Sequence, residues 1–514
     1  MAVVAAAIAL CAGVVAHHRE KRRREIEWPP TAPTSLRENM KVMSNRSRVP
    51  WIFLELCREV GPIFRFKFPI MKPFFICCDP AIQKIILTGD QEGGFKECEK
   101  IGRAMKRIEL LSGGEPSIFT KMTRSEGVHG WQWARKGVAP AFSMVNLKQN
   151  MRVLHEQIDS FVTVLDHFAS NGTVFDVSEW SMRFTMDFLC ASMFHIEGGS
   201  MFVEDTNRGS SQTDGTSNKQ VDEEALSLRL LRLFKLATIE LFSKRLGNPF
   251  RQYLFWDREK RQALAAMDEI MKIALDILKG YRDTHSKEEI KEDIGIVGHL
   301  VRTPYPSEKA RAADVVTFML AGHDTTGYTV AWILTELSRN PDVQRKLQKE
   351  LDQQNPKRLP WTIEMLRDTP YQDCVIKEAM RLWPVAAMGP TAREIDRDIP
   401  VGGGKVIPKG SFVSMNLFAT FRSGIQDPDS FIPERWEKPS NPDAGRLEKM
   451  HIPFGAGKRV CVGQNLAYLE LRMVVATMLQ RFDFEQIGVE TTDFHLTLKP
   501  AGSKLKASVR GKTK

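Results

Sequence analysis

A short glycine-rich run around one cysteine constrains the fold of this chain more than any other stretch. Residues 451–467 read HIPFGAGKRVCVGQNLA, and residues 464–480 carry apolar residues at helical spacing. Glycine permits positive φ and close backbone approach, so the run predicts a tight loop that leads into a helix. Cys461 then lies at the positive end of the helix dipole, where Lys458 and Arg459 add further charge. We therefore expect a stabilised thiolate, which is a metal ligand.

The surroundings of Cys461 argue against a zinc site, because no second cysteine or histidine stands at zinc-like spacing and His451 is the nearest. A single thiolate suits a cofactor that supplies its other ligands itself, as haem does. The run FGAGKRVCVG at residues 454–463 resembles the haem loop of the cytochrome P450 family at every defining position. The resemblance implies haem b with the Cys461 thiolate as axial ligand, held also by Phe454, Arg459 and Gly463. The residues alone leave open a buried structural cysteine beside a glycine-rich turn.

Composition places the chain among globular proteins and limits its partners. Of 514 residues, 42% are hydrophobic and 26% charged, which is ample for a large core. Eight cysteines without paired spacing argue against a disulfide framework and indicate a reducing compartment. The net charge of +10 has no nucleic-acid motif beside it, so it predicts a membrane surface or an acidic protein partner and no nucleic acid.

The N-terminus predicts a membrane anchor. Residues 1–16 are apolar and uncharged, the basic run HHREKRRR follows at 17–24, and the proline-rich WPPTAP stands at 28–33. As a helix the apolar run covers about 24 Å against about 30 Å of hydrocarbon, and charge behind it keeps the next domain cytoplasmic. We assign 1–18 to an N-terminal membrane anchor, 19–44 to a basic and proline-rich hinge and 45–514 to the catalytic domain. The alternative is a disordered tail.

Periodicity predicts a mainly α fold with a small β region. Alternating apolar runs at 63–68 and 73–78 predict a small sheet, and 399–413 predicts short strands around glycine turns. Residues 198–223 are polar and predict a surface loop. Helical spacing covers eight segments: 150–170, 177–194, 223–246, 257–283, 307–339, 341–352, 362–382 and 464–480. The family resemblance implies the cytochrome P450 fold for this pattern.

Two positions outside the loop are candidates for binding the carboxylates of the cofactor. Trp131 and Arg135 are four residues apart, share a helical face and are both hydrogen-bond donors. Alone, such a pair usually reflects packing. It resembles, however, the Trp-x-x-x-Arg of an early helix in the family, which contacts a haem propionate. By the same resemblance Arg393, in the run PTAR, and Arg459 are propionate-binding residues.

The helix predicted at 307–339 carries the second candidate for chemistry. It is apolar nearly all round before the run AGHDTT at 321–326, so it should cross the core. Ala321 and Gly322 would leave room for a ligand, while Asp324 and Thr325 could hand protons to bound oxygen. From the residues alone, a threonine that bonds to its own helix is the simpler interpretation. The resemblance favours the catalytic one, because the run matches the oxygen-activating segment of the family. We assign His323 no role.

A third motif predicts an element that holds the loop in place. Glu378 and Arg381 are three apart on a predicted helix and can pair. In the family such a pair is buried and joined by an arginine from a later Pro-Glu-Arg segment, which is Arg435 here. The resemblance therefore implies a buried triad.

The resemblance covers roughly residues 45–500 and implies a membrane-associated haem-thiolate monooxygenase, anchored in the endoplasmic reticulum and facing the cytoplasm. It would insert one oxygen atom from O2 into a lipophilic substrate, using electrons from an NADPH-dependent reductase or another donor with an acidic surface. The apolar side chains of Val316, Phe318, Met319, Leu320 and residues 385–388 predict an apolar pocket. Two alternatives remain: a haem-thiolate isomerase or dehydratase, and a non-enzymatic haem sensor. The Asp324–Thr325 pair counts against both.

Overall fold

The fold is that of a computed structural model, which describes residues 27–45, 47–67, 72–89, 96–127, 130–201, 225–245, 248–388, 392–437, 444–488 and 491–511. The described α-helices are α1 (Leu36–Ser44), α2 (Val49–Val60), α3 (Pro80–Thr88), α4 (Gly102–Ile108), α5 (Trp131–Val138), α6 (Met144–Gln149), α7 (Met151–Asn171), α8 (Val177–Phe194), α9 (Leu226–Thr238), α10 (Arg258–Thr284), α11 (Lys287–Glu292), α12 (Ile296–Arg302), α13 (Glu308–Arg339), α14 (Pro341–Gln354), α15 (Ile363–Arg367), α16 (Pro370–Leu382), α17 (Leu417–Thr420), α18 (Ala444–Met450) and α19 (Gln464–Arg481). The strands are β1 (Ile63–Phe66), β2 (Phe74–Cys77), β3 (Glu99–Lys100), β4 (Val174–Asp176), β5 (Arg393–Glu394), β6 (Ile399–Pro400), β7 (Val406–Ile407), β8 (Phe412–Met415), β9 (Phe482–Gln486), β10 (Thr491–Phe494), β11 (Leu498–Ala501) and β12 (Lys504–Val509).

The long helix α13 crosses the core, as its apolar composition predicts. The Ser307 hydroxyl caps it by accepting from the Ala310 N–H at 3.0 Å, and Asn340 followed by Pro341 ends it. Its closest neighbour is α8. Gly322 and Gly327 permit this approach, because an added Cβ would lie 2.7 Å from Leu189 or 2.8 Å from Met182, both on α8. At these two glycines, the backbone of α13 therefore packs directly against side chains of α8.

The described strands form small separate sheets beside the helices. The largest sheet has the order β1-β2-β8-β5-β3, in which only the β2–β8 pair is parallel. Its inner side chains form a second, smaller core with Ile86 and other apolar residues of α3. A three-stranded sheet joins β4, β12 and β9, and β10 and β11 form an antiparallel hairpin against α13. The register of β3 and β5 sets Lys100 directly opposite Arg393, which matters for the site below.

The predicted mainly α fold with a small β region is confirmed, with local corrections. The segment predicted as one helix at 362–382 is two helices, because Thr369 and Pro370 interrupt it. The helix predicted at 223–246 ends at Thr238 and continues as a π-helix over Ile239–Lys244. Most of the predicted loop at 198–223 lies outside the described residues.

The N-terminal predictions are only partly covered. The predicted anchor at 1–18 lies outside the described residues, whereas residues 27–44, from the second half of the predicted hinge, pack on the body. There the Trp28 ring lies 6.1 Å from that of Phe75, and Ala32 is buried. Among the helices of the described ranges, none combines the length and apolar character needed to cross a bilayer.

One cysteine pair is joined, although the cysteine spacing argues against a disulfide framework. Cys57 on α2 and Cys78 after β2 are joined by a disulfide. The two cysteines are 21 positions apart and form no spacing pattern, and only the packing of α2 beside β1 and β2 brings them together. A single bridge is not a disulfide framework, so it does not contradict the expectation from the cysteine spacing. The other described cysteines are free thiols.

Candidate active site

The cysteine loop leads into α19 as its glycines predict. Gly455 and Gly457 both have positive φ, of 75° and 72°, which an L side chain rarely adopts. Gly457 also lies so close to α3 that an added Cβ would be 2.3 Å from the carbonyl oxygen of Leu87. The Cys461 N–H donates to the Phe454 carbonyl at 3.0 Å, which closes the loop. Cys461 is thus fixed three residues before the first residue of α19.

Accessibility separates Cys461 from the other free thiols. It is exposed, whereas each of the other described free cysteines is buried. It also lies beside apolar rings that reach α13: the Cβ position of Gly463 is 3.9 Å from the Cys461 Sγ and 3.6 Å from Phe142, and the Phe142 ring is 5.8 Å from that of Phe318. The thiol is therefore available to a ligand that enters between the loop and the core helix.

The electrostatics of Cys461 differ from the prediction. Although the Cys461 side chain is accessible, the protein atoms around its sulfur displace water and raise the pKa of the thiol; the Gly463 N–H and Arg135 lower it without offsetting that effect. Lys458 and Arg459, which were expected to stabilise a thiolate, turn elsewhere. Lys458 pairs with Glu97 at 2.9 Å, and Arg459 donates to residues 118–123. The protein alone therefore favours the thiol, and a bound metal cation would have to favour the thiolate.

Four cations from distant parts of the chain lie close together near this loop: Lys100, Arg135, Arg393 and Arg459. The pKa of Arg459 is lowered to about 9, mainly by burial and also by Arg393 and Arg135, although Glu99 acts to raise it. Burial likewise lowers the pKa of Arg393 to about 10. Mutually repelling buried cations are stabilised by an anion. The cluster fits the two propionates of haem, as the accessible Cys461 fits its iron.

Arg459 shows how the cations are held. Its guanidinium donates to the Thr123 Oγ1 at 2.8 Å and the Ile118 carbonyl at 3.0 Å, and it lies 4.5 Å over the ring of Trp131. Trp131 begins α5 and is buried, and Arg135 follows one turn later on the same helix. The structure thus brings Trp131, Arg135, Arg393 and Arg459 together around the loop. It adds Lys100, for which the sequence offered no signal.

On α13, one row of side chains borders open space although the helix is otherwise mostly buried. Thr317, Ala321 and Thr325 lie one turn apart and are partly or fully accessible, whereas Met319 and Val330 are buried. The Thr325 hydroxyl donates to the Ala321 carbonyl at 2.7 Å, which is the bond within its own helix that the residues alone predicted. The row supplies a wall on which a small ligand could lie.

Two further predictions on α13 concern Gly322 and Asp324. Gly322 was expected to leave room for a ligand, but its open side faces Leu189, so its smallness serves the packing of α13 on α8. The Asp324 carboxylate accepts from the Thr497 hydroxyl at 2.5 Å. His323 is buried, with its ring Nδ1 2.6 Å from the Met319 carbonyl, in line with its having no assigned role.

The predicted triad is confirmed as a buried network. Arg381 donates two hydrogen bonds to Glu378, at 2.8 and 2.9 Å, and Arg435 donates a third at 3.2 Å. The Trp436 indole adds a fourth donor at 3.0 Å. Both arginines also donate to backbone carbonyls of residues 421–430, which precede the cysteine loop in the chain. All carboxylate lone pairs are engaged, so the network fixes that segment.

Comparisons with known proteins agree with this geometry. The sequence model of the family described as Cytochrome P450 matches residues 29–507. The chain is 25% identical to "Cytochrome P450 3A25" of Mus musculus over 446 residues, which cover 84% of this chain and 81% of that protein. It is 24% identical to "Putative cytochrome P450 CYP13A3" of Caenorhabditis elegans, with 88% and 90% covered. It is also 24% identical to "Lithocholate 6-beta-hydroxylase" of Mesocricetus auratus, with 87% and 83% covered.

Proposed function

The chain belongs to the cytochrome P450 family of haem-thiolate monooxygenases, and we propose that it is a membrane-associated member that oxidises lipophilic substrates with electrons from a reductase. The family uses haem b with a cysteine thiolate as axial ligand. We assign that ligand to Cys461. The observation that carries the assignment is that Cys461 is the accessible one among the described free cysteines and lies beside a cluster of buried and half-buried cations.

Each side chain of the site then has a separate task. Haem b, when bound, supplies the activation of O2 and the transfer of one oxygen atom to the substrate. Its propionates would be neutralised by Arg135, Arg393 and Arg459. The Trp131 ring, which lies against the guanidinium of Arg459, would hold that side chain in place. Thr325 holds a proton at its Oγ1 on the accessible wall of α13, and Asp324 in its protonated carboxyl form can replenish that proton.

The lipophilic substrate is supported by the composition of this wall. Thr317, Ala321 and Thr325 carry no charge, and the nearby Phe318 and Phe142 are apolar. Of the side chains predicted to line the pocket, Val385 and Ala386 are partly accessible, and the others are buried: Val316, Phe318, Met319, Leu320, Ala387 and Met388. A wall without charged side chains binds a polar metabolite poorly, because unpaired polar groups cost free energy on burial. The relative from Mesocricetus auratus is named "Lithocholate 6-beta-hydroxylase".

Membrane association is supported by an exposed aromatic patch, which comprises Phe250, Tyr253, Phe255 and Trp256. These four side chains are 61–78% exposed and lie within seven residues of each other, next to the 3-10 turn Pro249–Tyr253. Aromatic rings are enriched at membrane interfaces, and a contiguous exposed apolar patch marks a binding surface. We propose that this patch rests on the endoplasmic reticulum membrane, together with an anchor at residues 1–18.

Removing part of the aromatic patch should weaken membrane binding. In a chain that lacks residues 1–26, Phe255→Ser with Trp256→Ser should lower the partition constant onto zwitterionic lipid vesicles by at least about tenfold, because two exposed aromatic side chains lose their apolar contact. Vesicle flotation measures the change. As a control, Leu359→Ser removes an apolar side chain of 57% exposure elsewhere and should leave binding unchanged. Equal binding of all three proteins would refute the patch.

The activity itself has a direct test. Lipophilic compounds added to the purified holoprotein should shift its spectrum from low to high spin, and those compounds should gain one oxygen atom when NADPH and a reductase are added. Product that forms from peroxides without a reductant would instead indicate an isomerase or dehydratase. A protein that binds haem but forms no product with any donor would indicate a sensor. A spectral response to polar metabolites alone would refute the apolar pocket.

A further inference from the structure

We propose that Thr497 is a positioning residue, which holds the Asp324 carboxylate in the orientation that proton delivery at the site requires. The inference rests on the proposed function, because it concerns the relay of Asp324 and Thr325. Its basis is a single short contact: the Thr497 hydroxyl donates to the Asp324 Oδ2 at 2.5 Å, across 173 positions of sequence. Thr497 is 6% exposed, so water cannot readily replace it.

The turn that carries Thr497 is itself held rigidly. The turn joins β10 to β11. Leu498, the residue after Thr497, is fixed through both its N–H and its carbonyl group. The Leu498 N–H donates to the Val385 carbonyl at 2.9 Å, and the Leu498 carbonyl accepts from the indole of Trp332 at 3.1 Å. Trp332 lies on α13, two turns beyond Asp324. The hydroxyl is therefore presented to Asp324 by a turn that is bonded to the same helix.

Asp324 needs such a partner because of the charges around it. On the same hairpin, Asp493 lies 3.4 Å from the His495 ring and 3.5 Å from the Lys499 ammonium. The Tyr328 ring, on α13 one turn after Asp324, lies 5.8 Å from that ammonium. Burial is the main reason why the pKa of Tyr328 is raised, and the Asp324 and Asp493 carboxylates raise it next. Both carboxylates therefore lie near Tyr328. Asp176 also raises the pKa of Tyr328. Burial lowers the pKa of His323, and the nearby Asp324 carboxylate acts to raise it.

These neighbours define what Thr497 does. A carboxylate without the hydroxyl would turn toward the cations of the hairpin, because an ion pair is more favourable than an unsatisfied oxygen. Asp324 and Thr325 are adjacent on a helix, so their side chains already diverge by about 100°. Thr497 opposes rotation toward those cations and so fixes the orientation of the carboxylate.

The step that Thr497 supports is a proton transfer that needs no oxidant. Asp324 in its acid form releases a proton toward the Thr325 oxygen, and Thr325 releases its own hydroxyl proton into the site. Asp324 is then a carboxylate and regains a proton from solvent. Thr497 keeps its proton throughout and only donates a hydrogen bond. Removing the hydroxyl should therefore reduce the yield of product per electron without affecting the binding of haem.

The test compares four variants of the holoprotein. Thr497→Val should lower product per NADPH by about tenfold with a matching rise in peroxide, as is typical when a residue that orients a functional group is removed. Thr497→Ser keeps the hydroxyl and should restore most of the yield. Thr492→Val is the matched control, because Thr492 is on the same hairpin and its hydroxyl donates to the Ser47 carbonyl instead. Thr325→Ala shows what loss of the relay itself does.

A second readout is independent of turnover. The infrared carboxyl band that disappears in Asp324→Asn should shift in Thr497→Val and stay in place in Thr497→Ser and Thr492→Val. An unshifted band in Thr497→Val, or equal yields in Thr497→Val and Thr492→Val, would overturn the positioning role. Normal coupling in Thr325→Ala would refute the relay of the proposed function. In that case the infrared shift would still decide whether Thr497 orients Asp324.

Discussion

Glu378→Ala is expected to leave little folded, haem-loaded protein. The substitution removes the acceptor of Arg381 and Arg435, whose side chains are 0% and 5% exposed. Breaking a buried ion pair by removing one partner costs about 3–5 kcal/mol, because the other charge stays buried and uncompensated. Two arginines are stranded here. Since total stability is about 5–15 kcal/mol, the loss should be seen as a large fall in Tm and in the haem content of the soluble fraction.

The chain offers a matched control for this prediction. Arg345 and Asp342 are also three apart on a helix, but their side chains are 66% and 92% exposed. An exposed pair contributes about 0–1 kcal/mol, so Arg345→Ala should leave Tm and haem content close to those of the parent protein. A Glu378→Ala protein that behaves like Arg345→Ala would show that the triad does not hold the structure together.

Gly457→Ala should be nearly as damaging, and Gly455→Ala much less so. Both glycines have positive φ, which costs an alanine about 1–2 kcal/mol. Gly455 has nothing within 4 Å of its Cβ position, whereas the Cβ position of Gly457 is 2.3 Å from the carbonyl oxygen of Leu87. That oxygen belongs to the backbone at the end of α3 and cannot move alone. The loop would have to shift and would carry Cys461 with it.

The two variants therefore distinguish the effect of backbone strain alone, in Gly455→Ala, from the effect of strain together with a steric clash, in Gly457→Ala. Gly455→Ala should lower the free energy of unfolding by about 1–2 kcal/mol and keep its haem. Gly457→Ala should lose most of its haem, as followed by the Soret absorbance per protein. Equal haem content in the two variants would mean that the contact between the loop and α3 does not set the position of Cys461.

Much of this fold follows from local patterns. Ser307 before a long apolar run and Pro341 after it predict the bounds of α13, and the structure has them. The prolines and glycines around 399–413 predict short strands for the same reason, since each acts on its own neighbours. The break at Thr369 was missed, because helical spacing continues across it and only the following proline interrupts the helix.

The site was less predictable wherever it depends on distant contacts. Motif resemblance identified Cys461 and the Glu378 triad, but helix rotation decides which side chains face a ligand. Gly322 was therefore assigned to the ligand when it faces Leu189. Lys100 is a surface-type residue in the sequence, and only the pairing of β3 with β5 brings it opposite Arg393. No local signal could have indicated these contacts.

The ligation of haem by Cys461 is tested most directly by the spectrum of the reduced protein with carbon monoxide. A thiolate ligand donates electron density to the iron and gives a red-shifted Soret band, so the parent protein should show that band. Cys374→Ser changes a buried free cysteine and should keep it. Cys461→His should bind haem without the red-shifted band. A Cys461→His protein that retains the band would contradict the account, because another residue would then be the ligand.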